Sequence, residues 1–157
     1  MSHEPLRHRM MWIPLILVSL AGCKHIPDVD RHFQRSAALE TVRYFRYAID
    51  ASQYDAAYRC LSETTREQIS ALAFQALIRF VDVPQLDDLG LRDLLVDSSI
   101  DDGVEVPPGG GQDRWITLIW SSDEQYIEYS LRLQPGLNQL WEIELLATRG
   151  VDLTGTP

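Results

Sequence analysis

The stretch that decides the fold is Tyr-Ile-Glu-Tyr-Ser-Leu-Arg-Leu at residues 126–133, followed after a Pro-Gly turn by Trp-Glu-Ile-Glu-Leu-Leu-Ala at residues 141–147. Apolar and polar side chains alternate along both segments, and a period of two places one face of a strand on a core and the other in water. Residues 115–120 precede them and are almost continuously apolar, which is typical of a strand buried on both faces. Because a Ser-Ser-Asp turn joins this strand to the next, we predict a three-stranded antiparallel meander.

Upstream of the strands the pattern becomes helical. Ala38, Val42, Phe45 and Ile49 recur at steps of three and four residues, which predicts a first helix with one buried face. A second, short helix is predicted over residues 54–60.

A third helix is predicted to end near Phe80. The residues predicted on its inner face are Ile69, Leu72, Ala73, Ala76, Leu77 and Phe80. Thr64 and Glu67 have the spacing of a capping box at its start, and Ser62 is the alternative N-cap. Residues 91–100 fit either a strand or a short helix. Helices first and hairpin-linked strands later predict an α+β fold, with N-terminal helices packed on a curved antiparallel sheet.

The second helix carries a resemblance to a known family. Gln53-Tyr54-Asp55-Ala56-Ala57-Tyr58, with Leu61-Ser62 two residues later, resembles the opening of the nuclear-transport-factor-2-like superfamily, although here the Asp follows the Tyr. The resemblance covers most of residues 36–147 and implies a cone-shaped α+β fold with a cavity. The candidate pocket-lining residues are Tyr54, Tyr58, Trp120 and Tyr129. Packing into the core is the alternative role for these tyrosines.

The N-terminus carries a second resemblance. Arg7 and Arg9 precede an apolar run at residues 10–20, which ends on Leu20-Ala21-Gly22-Cys23. This order of segments resembles a bacterial lipoprotein signal peptide with its lipobox. The run is shorter than the roughly 20 residues that span a bilayer. The resemblance implies cleavage before Cys23, a diacylglycerol on the Cys23 sulfur and acylation of the new amino terminus. An uncleaved helical anchor is the alternative.

The predicted organisation follows from these two resemblances. We expect a lipoprotein signal peptide at residues 1–22, a lipidated tether at 23–35, a single α+β domain at 36–149 and a tail at 150–157. The membrane would be a partner through the lipid on Cys23, and the location would be the bacterial cell envelope. Lys24 is not the Asp that retains lipoproteins of this family at the inner membrane, which favours the periplasmic face of the outer membrane if the organism has two membranes.

Charge and cysteine content limit the partners further. Removal of residues 1–22 takes away two Arg and one Glu, which leaves 12 basic and 22 acidic residues and a formal net charge of −10. So acidic a surface repels phosphate backbones, and we therefore expect no nucleic-acid partner. Cys60 is the other cysteine, and we expect it to pack as a small apolar side chain.

The residues offer little for catalysis. Residues 36–157 contain no histidine, which removes Ser-His and Cys-His pairs and imidazole metal sites from the domain. Asp97 or Asp101 beside Tyr54, Tyr58 or Tyr129 could still form the carboxylate-tyrosine pair that isomerases of the resembled superfamily use. The acidic pairs Asp87-Asp88 and Asp101-Asp102 lack the pattern of a calcium loop. We predict no metal and no cofactor.

Together these observations predict a membrane-anchored lipoprotein whose domain is non-catalytic. It would bind an envelope protein or a small apolar ligand. Two alternatives stay open: a small enzyme of the same fold with a carboxylate and tyrosine pocket, and an assembly subunit of an envelope complex.

Overall fold

The computed structural model describes residues 28–84, 86, 89–107, 111–151 and 153, and the lipobox lies outside them. A helical part precedes a four-stranded antiparallel sheet of order β1-β2-β3-β4, which confirms the predicted α+β class. The helices, which follow a 3₁₀ turn at Val29–Arg31, are α1 (Ala38–Asp50), α2 (Tyr54–Tyr58), α3 (Glu63–Gln68), α4 (Ala71–Phe80) and α5 (Leu91–Asp97). The strands are β1 (Ser99–Glu105), β2 (Arg114–Ser121), β3 (Tyr126–Pro135) and β4 (Trp141–Arg149).

Helix α1 packs as its pattern predicts. Val42, Phe45 and Ile49 are fully buried, and Ala38 is nearly so. Arg46 falls off this stripe, but its guanidinium donates to the carbonyl oxygens of Leu95, Val96 and Ser98 at the C-terminal end of α5. A cation there satisfies carbonyls that have no partner within the helix.

The predicted third helix is wrong as a single element, because the chain forms two helices there. Ile69 takes an extended conformation between α3 and α4. The Ser70 hydroxyl then accepts from the Ala73 N–H and starts a new helix, an alternative that serine readily offers to a continuous helix. The N-cap of α3 is Ser62 and not Thr64. The predicted inner face is also wrong in part: Leu72 and Phe80 are 78% and 72% exposed, and Ala73 and Ala76 are exposed as well. Phe74 occupies the core with Leu77 instead.

The ambiguous segment at residues 91–100 contains both alternatives. Residues up to Asp97 form α5, and Ser99 begins β1, which adds a fourth strand to the edge of the meander.

The register of the sheet places its core face as the alternation predicts. Ile116 pairs with Leu131 and Leu118 with Tyr129 across β2 and β3, and all four are buried. Trp120 lies on this face, half-buried against the core. On the opposite face of the sheet, Trp115 pairs with Arg132 across β2 and β3. The Arg149 guanidinium lies over the Trp115 ring, 3.8 Å from its centre.

Strand β4 departs from simple alternation. Glu144 was expected in water between Ile143 and Leu145, but it is only 8% exposed. Its carboxylate accepts from the Ser62 and Thr65 hydroxyls, each at 2.7 Å, because α3 packs against this strand.

Both ends of the folded domain reach further than predicted. Val29, within the expected tether, is fully buried, and Val151 and Leu153, within the expected tail, are 3% and 0% exposed. The structure thus moves both boundaries outward from residues 36 and 149. None of the helices in the described ranges has the length and hydropathy needed to cross a membrane.

Candidate functional site

Buried side chains from the helices and the sheet form one core cluster, at the place where the family resemblance implies a cavity. Tyr129 is 1% exposed there, among Leu94, Leu118 and other buried residues. Its hydroxyl donates to the Leu94 carbonyl at 3.2 Å and lies 3.1 Å from the Ser98 Oγ. Burial raises the pKa of Tyr129 to about 12. Tyr129 is therefore a core residue whose polar atom is satisfied.

Two further candidate pocket residues also pack on the domain. The Tyr58 hydroxyl donates to the Ile69 carbonyl at 2.8 Å, and its ring lies 5.8 Å from that of Phe74. Trp120 packs against the core from β2. Tyr58, Trp120 and Tyr129 do not line the open hollow beside Tyr54.

The fourth candidate, Tyr54, borders an open hollow of about 670 Å³. This hollow lies between the N-terminal 3₁₀ turn, the turn from α1 to α2, helix α2 and helix α4. Its polar lining includes Asp28, Asp30, Gln53, Asp55, Arg59 and Gln75.

The turn between α1 and α2 builds one wall of the hollow. Ser52 has a φ of +58°, in the left-handed region, which reverses the chain after α1. Gln53 follows, and its Oε1 accepts from the Val29 N–H at 3.1 Å. With the Val29 side chain in the core, this bond holds the start of the described chain against the domain.

A carboxylate, a phenol and a guanidinium meet at the rim of the hollow. The Tyr44 hydroxyl donates to Asp30 Oδ1 at 2.6 Å, and Arg59 Nη2 lies 3.2 Å from Asp30 Oδ2. Burial, helped by the hydrogen bond to Asp30, raises the pKa of Tyr44 to about 12. The Asp30 side chain is 58% exposed, so water solvates this carboxylate. An exposed carboxylate of this kind is open to bulk water, which catalytic sites usually exclude.

The charge of the hollow is negative. Asp28, Asp30 and Asp55 contribute three carboxylates, whereas Arg59 contributes one guanidinium, which already contacts Asp30. An open, polar and acidic depression of this kind suits a cationic or hydrogen-bond-donating group. It suits an apolar ligand poorly, because such a ligand would leave these polar atoms unpaired.

The carboxylates proposed for catalysis lie elsewhere. Asp97 ends α5, and the Asp101 carboxylate accepts from the Gly103 N–H at 3.2 Å. The carboxylate-tyrosine pair that forms at the hollow is Asp30 with Tyr44.

The remaining sequence predictions concern the packing of Cys60 and the acidic pairs considered as metal ligands. The Cys60 thiol is fully buried, as expected for a small apolar residue. In the part of the chain that the structure describes, no three His, Cys, Asp or Glu side chains converge as a metal site would require. Asp87-Asp88 and the Asp102 side chain lie outside the described positions.

Asp30, Tyr44, Arg59 and Gln75 were not anticipated from the sequence. Asp30 fell within the expected tether, and the other three come from separate helical segments. One signal was present: Val29 is an apolar residue between Asp28 and Asp30, which is unusual for a solvated linker.

Comparisons of the chain with protein-family models, with curated proteins and with solved structures give no match.

Proposed function

We propose that the chain is a lipid-anchored, non-catalytic interaction domain of the bacterial cell envelope, held at the membrane by acylation of Cys23. The lipobox at residues 20–23 is the observation that carries this proposal. The signal peptide at residues 1–22 would be removed, and several acyl chains on one residue would hold the protein permanently. Lys24 favours the outer membrane in an organism that has two membranes.

We propose further that the domain is nuclear-transport-factor-2-like. The order of a long helix, a short helix with its Tyr-Asp-Ala-Ala-Tyr sequence and a late antiparallel meander supports this. Core side chains such as Tyr129 would take the place of the family's cavity.

The interaction would take place at the acidic hollow. Its three carboxylates and exposed rim favour a partner that presents Lys or Arg side chains. The hollow includes Asp28, five residues after Cys23, so this partner would be an envelope protein met close to the bilayer. This polar lining favours an envelope protein over a small apolar ligand, and the solvated Asp30 favours an interaction domain over an enzyme.

Metabolic labelling with palmitate tests the anchor. We expect the wild type to incorporate label and Cys23→Ser to lose it. Cys60→Ala is the matched control, because Cys60 is buried in the domain and should not affect labelling. Equal labelling of the wild type and Cys23→Ser would refute the anchor.

Photocrosslinking in the native host tests the hollow. A photoreactive phenylalanine analogue replaces Tyr54, and in a control it replaces Tyr126, which is 62% exposed on β3. We expect a discrete protein adduct from position 54 that Asp55→Lys reduces several-fold and Asp123→Lys leaves unchanged. The same adducts from both positions, or an adduct insensitive to Asp55→Lys, would contradict the assignment.

A further inference from the structure

Helix α4 has an apolar stripe on the side that faces away from the core. Leu72, Ala76 and Phe80 follow one another at four-residue steps and so lie one above the other. Leu72 is 78% and Phe80 is 72% exposed, and Ala76 is exposed between them. The packed side consists of Phe74, Leu77 and Ile78. A helix that is apolar on both sides is normally covered on both, so this exposed stripe needs a partner.

The charge of α4 differs from that of the rest of the domain. Among the helices of the described ranges, α4 is the one with no Asp or Glu, although residues 23–157 have a formal net charge of −10. Its one charged residue, Arg79, lies 4.9 Å from the centre of the Phe80 ring. An arginine beside exposed apolar side chains suits the boundary between lipid headgroups and acyl chains, where its stem is buried and its head stays polar.

The position of α4 brings this stripe close to the lipid. Gln75, three residues after Leu72, lines the same hollow as Asp28. Asp28 follows Cys23 by five residues, a length of chain that spans at most about 18 Å when fully extended. A lipid on Cys23 would therefore place the bilayer surface within reach of α4.

We propose that the stripe Leu72, Ala76 and Phe80 rests in the interfacial layer of the bilayer that holds the Cys23 lipid, so that the domain has a fixed orientation on the membrane. This inference rests on the proposed lipid anchor. Two large side chains are too few to bind a membrane unaided, but the short connection to the lipid keeps their effective concentration at the surface high. The contact between the stripe and the bilayer depends on apolar side chains and not on net charge. A domain with a formal net charge of −10 is not attracted to anionic headgroups.

Quenching by lipid-borne nitroxides tests this contact on the full lipidated protein, in vesicles of phosphatidylethanolamine and phosphatidylglycerol. The protein's mass first verifies the acyl groups on Cys23. A fluorophore is then attached at Ala76→Cys, or at Asp123→Cys as the control in the exposed turn between β2 and β3. Cys60 does not compete for the label, because it is fully buried.

We expect several-fold stronger quenching from position 76 than from position 123. Adding Leu72→Ser and Phe80→Ser to Ala76→Cys should abolish the difference. Equal quenching at both positions in a protein of the lipidated mass would overturn the inference and leave the anchor intact.

Two further results would also overturn the inference. Energy transfer between labelled copies without selective quenching by lipid would mean that a second copy covers the stripe. A protein that carries no lipid on Cys23 would overturn the proposed function and this inference with it.

Discussion

Cys60 illustrates how the surroundings of one side chain decide its chemistry. Its thiol is fully buried and donates to the Ala56 carbonyl at 3.5 Å. Burial raises the pKa of Cys60 to about 12 from 9.0, although Arg35 and Arg59 oppose part of this shift. A thiol of this kind is inert while the domain is folded.

The shifted pKa makes stability depend on pH. The pKa of Cys60 is higher in the folded domain than the value of 9.0 expected in the unfolded chain. The protonated thiol therefore contributes its full share to the free energy of unfolding below pH 9, and this share is lost as the pH rises towards 12. Between about pH 8 and about pH 11 the free energy of unfolding should fall by about 2–3 kcal/mol more in the wild type than in Cys60→Ala. Urea titration followed by tryptophan fluorescence measures the difference. An equal fall in both proteins would contradict this account.

At the scale of elements, the periodic segments could be predicted and the breaks between them could not. Period two in β3 and β4 identified both strands, and the stripe of α1 identified its buried face. The break at Ile69 and Ser70 depends on a serine hydroxyl that outcompetes a continuous helix, and the burial of Glu144 depends on a helix 79 residues away in sequence. Neither effect has a local periodic signal.

The two serine caps should differ in importance. Ser62→Ala removes the cap of α3 and also a hydrogen bond to the buried Glu144 carboxylate, so it should destabilise the domain by about 2–4 kcal/mol. Ser70→Ala removes only the exposed cap of α4 and should cost about 1 kcal/mol. Denaturant titrations of the two variants compare them directly. Equal losses would show that the Glu144 bond contributes nothing.

At the scale of the whole molecule, the docked N-terminal segment determines how near the domain stands to Cys23. This docking could not be predicted, because it rests on Val29 reaching a core that separate helices assemble. The acidic hollow escaped prediction for the same reason, since the N-terminal turn, the turn between α1 and α2, and helices α2 and α4 all contribute to its lining.

Loss of the Val29 contact should release this segment. Val29→Ser should cost about 2 kcal/mol and speed trypsin cleavage after Arg31 several-fold, because the segment would detach. Val106→Ser is the matched control, since Val106 is 51% exposed. The rate at which the Arg31 cleavage product appears is the measurement. If both variants are cleaved at the same rate, the docking does not protect the segment.

The central claim is that acylation of one cysteine holds this acidic domain at a membrane. Mass spectrometry of the protein isolated from its natural source tests it most directly. The account predicts a chain that starts at Cys23 and is heavier than its sequence by a diacylglyceryl group and an amide-linked acyl chain. An unmodified chain that still begins at Met1 would contradict it.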